Sequence, residues 1–222
     1  MISLIVCCKQ KDISPGLREN IGRTIGVECE IIVIDNSRNE YSIFSAYNLG
    51  AEKAQYEVIC FLHDDILFHS NNWGEHVLSV LGNKEVGLLG VAGATYKTSV
   101  PSPWWISNYA DMDRYGRCNS LQHSSQGVVL KTQPSEEGDQ GIFEVVILDG
   151  VWLCCRKELW KLLKFDETYK GFHFYDLDFS MSAFVLGLHN YVTHQVLIEH
   201  FSAGHMDKKW IEAASKFHNK WK

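Results

Sequence analysis

Short apolar runs alternate with helix-patterned segments through the first 68 residues, and this alternation restricts the fold more than any other feature. SLIVCC (3–8) and EIIVIDNS (30–37) have the β-branched, apolar character of buried strands. Between them, Ser14-Pro15-Gly16 reads as a turn and LRENIGRTIG as a short helix. SIFSAYNLGAEKA (42–54) places apolar residues at helical spacing, and YEVICFLHDDILF (56–68) supplies a third strand. This order predicts an α/β domain with a mainly parallel central sheet and helices on both faces. Ligands in such sheets bind beyond the carboxyl ends of the strands. Asp35-Asn36-Ser37 and His63-Asp64-Asp65 each close a strand, so both clusters are expected to face one crevice.

Farther along, NNWGEHVLSVL has a helical pattern and VGLLGVAG reads as a strand. A long irregular region is expected from Thr95 to Gly141, and loops of that length tend to be functional. FEVVILDGVWLCCR reads as a strand pair or a strand and turn, ELWKLLKF as a short helix, and YDLDFSMSAFVLGL as an amphipathic helix with acids in its first turn. NYVTHQVLIEHFSAGH adds a late strand ending at His200, and the segment after Asp207 is expected to be helical. No repeat or linker divides the chain, which reads as a single domain with halves 1–94 and 95–222.

Composition narrows the function classes. Lys and Arg number 21 against 27 Asp and Glu, a formal charge of -6, so no broad basic surface is available for nucleic acid. No apolar run approaches the roughly 20 residues of a membrane-spanning helix, and the N-terminus reads as a strand rather than a signal peptide. Seven cysteines without zinc-type CxxC spacing predict reduced, mostly buried thiols in a cytoplasmic protein. The aromatic, lysine-rich tail from Trp210 to Lys222 suits an interface or peripheral contact with the inner face of a membrane; oligomeric state is not legible.

His63, Asp64 and Asp65 offer imidazole and carboxylate groups suited to Mn2+ or Mg2+, and strand alternation points His63 and Asp65 together with Asp64 away. The plainer alternative is a solvated polar turn. Asp35 has the same two readings, ligand contact or turn cap, and Asn36 and Ser37 suit a turn as well. Acids at the start of a helix, here Asp176 and Asp178, commonly satisfy first-turn N–H groups.

Four stretches in order, IIVIDNS, YNLGAEKAQYEVICFLHDDI, LDGVWLCCRKELWKLLKFDETYKGFHFYDLDFS and IEHFSAG, make the chain resemble glycosyltransferase family 2 on the GT-A, Rossmann-like fold, particularly its short bacterial members. The likeness is weakest from 95 to 141. The resemblance implies a metal-dependent, inverting transfer of a sugar from a nucleotide-diphospho-sugar, UDP-linked, to a glycan or lipid-linked acceptor, as in polysaccharide biosynthesis. It implies that Cys7, Cys8, Asp35, Asn36, Ser37, Asn48 and Gly50 build the nucleotide pocket, with His63 and Asp64 near the donor. FLHDDI stands at the family's Asp-x-Asp signature, with His63 in the first acidic position and Asp65 in the last. Asp65 is the expected ion ligand; His63 is left as ligand, ribose contact or water-mediated phosphate contact, and His200, with His205 behind it, resembles the family's late metal histidine.

YDLDFS stands at the family's Glu-Asp-x-Asp motif. Tyr175 replaces its first acid, Asp176 matches the general base, and Asp178 matches the second acid. Asp149 and Gly150, Asp178, and the loop tryptophans Trp104 and Trp105 are expected on the acceptor side, although loop tryptophans equally pin loops to cores. Two rival readings stand beside the transferase: a non-catalytic nucleotide-sugar or carbohydrate-binding protein of the same fold, and a nucleotidyltransferase, for which SLIVCCKQKDISPGL is a poor phosphate loop.

Overall fold

The computed structural model describes residues 1–105, 114–124, 127–132, 141–202, 204 and 206–222. The opening alternation forms as the pattern predicts: β1 (Ile2–Cys8), α1 (Pro15–Thr24), β2 (Cys29–Asp35), α2 (Ile43–Lys53) and β3 (Val58–Leu62). Ser14 and Ser42 cap α1 and α2 by accepting the Leu17 and Ser45 backbone N–H groups, as serine at this position favours. β1 runs parallel to both β2 and β3. Period-two alternation along β1 sends Ile2, Leu4 and Val6 into the core beneath α1 and Ile5 into the core beneath α2, so helices cover both faces. Gly50 permits the second contact, because a Cβ there would lie 2.3 Å from Ile5 Cγ2.

The third apolar run is not one strand. It breaks at His63-Asp64-Asp65, and β4 (Ile66–Phe68) joins a second sheet. α3 (Trp73–Leu81) follows, and then VGLLGVAG divides in the same way into β5 (Val86–Gly90) and β6 (Ala92–Ala94). The expected irregular region from 95 to 141 contains β7 (Gly116–Ser124) and β8 (Gly127–Thr132), an antiparallel pair. β7 is largely polar, and β8 is a short edge strand with Val128 and Val129 exposed, so neither shows the alternation of a half-buried strand. FEVVILDGVWLCCR becomes β9 (Ile142–Val145), β10 (Ile147–Leu148) and β11 (Trp152–Arg156). α4 (Lys157–Leu163), α5 (Tyr175–Val185), β12 (His189–Thr193), β13 (Ile198–His200) and α6 (Lys208–Lys220) complete the described elements.

The central sheet has the order β2-β1-β3-β11-β5-β12-β9, with β11 and β9 antiparallel to the rest, so five of its seven strands run one way. The second sheet has the order β10-β6-β7-β13-β4, with β8 beside β7. Breaks at 63–65, Val91 and Val146 carry the chain from the first sheet to the second. A seam therefore forms along the strand ends.

β3 and β11 place Cys60 directly opposite Cys154, and the two form a disulfide. This corrects the expectation of uniformly reduced thiols; Cys7, Cys8, Cys29, Cys118 and Cys155 are free. Among the described residues, no helix is long and apolar enough to cross a membrane.

Candidate active site

A cavity of about 680 Å3 opens along the seam, within the range of ligand sites. Its walls come from the ends of β1 and β2, the break at 63–65, the Asp149-Gly150 turn, the start of α5, and residues of β7 and β13. Asp64, Asp65, Asp149 and Asp176 line it against one lysine, Lys9, so it carries four carboxylates and little fixed positive charge among the described residues.

One corner is built by register. Antiparallel pairing sets His200 of β13 opposite Ile66 of β4, the residue next to Asp65. His63 Nδ1 lies 3.4 Å from His200 Nε2, and Asp65 Oδ1 lies 3.8 Å from the first and 3.5 Å from the second. Hydrogen-bond partners favour one tautomer of each ring. Tyr175 donates its hydroxyl hydrogen to the Gly150 carbonyl at 2.9 Å, so at the 2.9 Å contact with His63 Nε2 it must accept. Gln122 donates through Nε2 to the His123 and Ser202 carbonyls, leaving its Oε1 to accept from His200 Nδ1 at 3.1 Å.

Both imidazoles thus turn lone pairs toward the Asp65 carboxylate. A triangle of three lone-pair donors is repulsive until a cation occupies it, and the set suits a divalent ion. Burial alone would raise the Asp65 carboxyl, but the Ser202 hydrogen bond and the two imidazoles, with His200 donating and both rings charged once protonated, hold it well below the usual carboxylate range. Burial and the neighbouring His200 lower His63. Asp64 points instead toward β1, where its Oδ2 accepts from the Lys9 backbone N–H at 3.3 Å.

The opposite corner is the start of α5. Phe174, the residue before the helix, adopts a left-handed conformation (φ 67°) that costs a side chain about 1 kcal/mol. Its burial against Trp210 and Phe217 offsets this. The sharp turn brings Tyr175 and Asp176 to the cavity wall. Asp176 accepts from Gly150 N at 2.8 Å and Leu177 N at 2.9 Å. Burial, reinforced by the Asp149 charge, pushes its carboxyl up to about 7 despite those bonds. A carboxyl so tuned exchanges protons near neutrality.

Aromatic residues form a third wall: Trp104, Trp105, Phe172, Phe174 and Trp210 all reach the cavity. Trp104 also packs against the core. Lys97 fastens this segment to α6, donating to Ser102 Oγ at 2.7 Å and to His218 Nε2 at 3.4 Å.

A family model described as "Glycosyltransferase like family" matches residues 3–221. The chain belongs to this glycosyltransferase-like family. No curated protein sequence gives a significant match. Among solved structures, the crystal structure of GalNAc-T7 with UDP, GalNAc and Mn2+ is similar at 11% identity with a TM-score of 0.64, and the alignment covers 96% of this chain and 47% of that one. The chain therefore spans about half the length of that relative, and the likeness shows the GT-A fold. The structure of A197 from STIV aligns at 13% identity and a TM-score of 0.49, covering 91% of this chain and 86% of that one.

Within this glycosyltransferase-like chain, the expected nucleotide residues divide. Cys7, Cys8 and Asn36 line the cavity, and burial pushes the two thiols up to about 11 and about 12, so they stay protonated walls near neutrality. Asp35 and Ser37 do not line it; Asp35 Oδ1 accepts from the Ser37 backbone N–H at 2.9 Å and caps the turn. Asn48 is also elsewhere. Its amide accepts from Trp160 Nε1 and Phe165 N and donates to the Phe165 carbonyl and Glu167, which spends its bonds on joining α2 to the chain after α4. Gly50 serves the Ile5 packing described above.

Asp178, expected on the acceptor side, is buried in a structural cluster. It accepts from Lys220 Nζ at 2.9 Å, Trp221 Nε1 at 2.8 Å and the Tyr169 hydroxyl at 3.2 Å, clamping α5 to α6. Asp149 and Gly150 line the cavity, while His205 lies outside the described residues. Sequence reasoning assigned no role to Gln122 or Tyr175. Gln122 gave no signal, but Tyr175 did: it and His63 stand where the family resemblance leads one to expect acids, and they touch.

Proposed function

We propose that the chain transfers a sugar from a nucleotide-diphospho-sugar, UDP-linked, to a hydroxyl of a glycan or lipid-linked acceptor, with inversion and with a divalent ion. The observation that carries this reading is the pairing of a convergent His63-Asp65-His200 donor set with a carboxylate held near neutrality in one cavity. A cavity with four carboxylates and one lysine would repel a bare diphosphate. The GalNAc-T7 structure, with UDP and Mn2+, supports the same assignment.

His63, Asp65 and His200 would hold the ion, whose charge offsets that gathering on the departing diphosphate. Two imidazoles and one carboxylate favour Mn2+ over Mg2+, which prefers all-oxygen surroundings. Cys7, Cys8, Asn36 and Asp64 face the nucleotide, with the Asp64 carboxylate able to accept from ribose hydroxyls. The aromatic wall covers the apolar faces of sugar rings. Each Asp176 oxygen keeps one lone pair beyond its backbone bond, so one takes the acceptor hydroxyl's proton while the acceptor oxygen bonds to the anomeric carbon. The bond to the diphosphate oxygen breaks on the opposite face, which inverts that carbon.

Thermal-shift titration with nucleoside diphosphates and nucleotide-sugars, with and without Mn2+, tests the reading. Stabilisation by UDP compounds that depends on Mn2+ is expected, together with slow UDP release from the accepted donor. No response to any nucleotide overturns it. Donor binding without turnover selects the binding protein, and pyrophosphate release from a nucleoside triphosphate selects the nucleotidyltransferase.

A further inference from the structure

A neutral imidazole presents either nitrogen as its lone pair, so His63 is useful to an ion only if something chooses between them. We infer that Tyr175 is the positioning residue that makes this choice, an inference that rests on the ion reading of His63. Its hydroxyl is committed on both sides, donating to the Gly150 carbonyl at 2.9 Å and accepting from His63 Nε2 at 2.9 Å, which leaves the Nδ1 lone pair facing Asp65 and His200.

The hydroxyl cannot drift from this place. The Tyr175 ring is buried and held edge-on by Phe44 at 6.2 Å and Tyr47 at 5.5 Å. Gly150 makes room for the ring end, since a Cβ at that position would lie 2.0 Å from the Tyr175 hydroxyl. Gly150 also donates its N–H to Asp176. The two backbone groups of this one residue therefore set both the His63 tautomer, through Tyr175, and the placement of the Asp176 carboxylate.

This arrangement also joins the two positions at which the family resemblance expects a further acid. The imidazole of His63 brings a second ring nitrogen that needs an acceptor, and Tyr175 supplies one at 2.9 Å. A carboxylate at 175 would draw the same N–H but would place another negative charge beside Asp149 and Asp176. Tyrosine supplies the acceptor without that charge.

Tyr175→Phe keeps the ring packing and removes only the hydroxyl. Two measurements on the full chain test the inference: the His63 tautomer in the metal-free protein by 15N-resolved imidazole NMR, and Mn2+ affinity by calorimetry. The wild type is expected to show the Nε2–H form and Tyr175→Phe a mixture, with Mn2+ affinity reduced about 10- to 100-fold. In a His63→Ala background, Tyr175→Phe is expected to change Mn2+ affinity by less than about twofold, because the two residues act through one contact. An unchanged tautomer with wild-type Mn2+ affinity overturns the inference, as does a loss of full size in the His63→Ala background. Failure of the wild type to bind Mn2+ overturns the ion reading alone, and the tautomer comparison then decides the Tyr175 contact separately.

Discussion

Asp65 and Asp176 line the same cavity and are tuned in opposite directions. Both lose hydration, which favours the neutral acid in each case. At Asp65, the Ser202 hydrogen bond and two imidazoles, with His200 donating and both charged once protonated, overcome that penalty and keep the group ionised. At Asp176, backbone N–H donors from Gly150 and Leu177 oppose burial, but the Asp149 carboxylate adds to it and the group rises to about 7. Permanent charge suits a group that holds a cation; adjustable charge suits one that moves a proton.

The largest effect should come from removing the adjustable member. Asp176→Asn is expected to reduce turnover of UDP-sugar to UDP by about 10^3-fold, the size of a general-base contribution, while Mn2+-dependent nucleotide binding measured by thermal shift persists. Loss of binding in this variant would erase the distinction between the corners. Asp65→Asn should do the reverse at the first step, weakening Mn2+ binding by about 100-fold in calorimetry and removing the ion-dependent part of nucleotide stabilisation.

Stability and pH separate the corners further. Wild-type turnover is expected to rise with pH through about 7 as Asp176 ionises. Asp149→Asn removes the like charge, so the midpoint should move to lower pH and turnover at pH 6 should gain several-fold relative to pH 8. A midpoint that does not move would assign the Asp176 shift to burial alone. Because the folded-state value of Asp176 is raised, its contribution to stability is present below the ordinary 3.8 and is lost as pH rises through about 7. The lowered Asp65 contributes with opposite sign, present above 3.8 and lost as pH falls below it.

The smallest catalytic effect should come two residues from the base. Lys220→Ala strips Asp178 of its cation and is expected to destabilise the fold by about 2 kcal/mol in denaturant melts, with turnover below the melting range unchanged. A turnover defect without lost stability would return Asp178 to the acceptor side.

The contrast between Asp176 and Asp178 also shows why part of the site was hard to read. Both occupy the first turn of α5, both are buried, and either suits a motif acid. Which one meets the cavity depends on the left-handed Phe174 and on α6 supplying Lys220 and Trp221 to the other. Asn48 and Gly50 were misassigned for a related reason: an amide and a glycine near strand ends have the composition of a pocket, and only their partners, Trp160, Phe165, Glu167 and Ile5, show that they are packing elements. The β7-β8 pair escaped because its strands lack apolar alternation.

Local pattern alone determined the β-α-β opening, the helices on both faces and the strand-end position of the His63-Asp65 cluster, and four ordered motifs carried the resemblance to the family. These follow from side-chain periodicity and from motifs in which neighbours in sequence remain neighbours in space. Tertiary structure decided what needs distant segments to meet: the break that sends β4 into a second sheet, the β13 register that sets His200 beside Asp65, and the contacts of Gln122 and Tyr175 that turn two imidazole lone pairs inward. A lone pair has a direction, and direction is set by partners that lie 78 and 112 residues away along the chain.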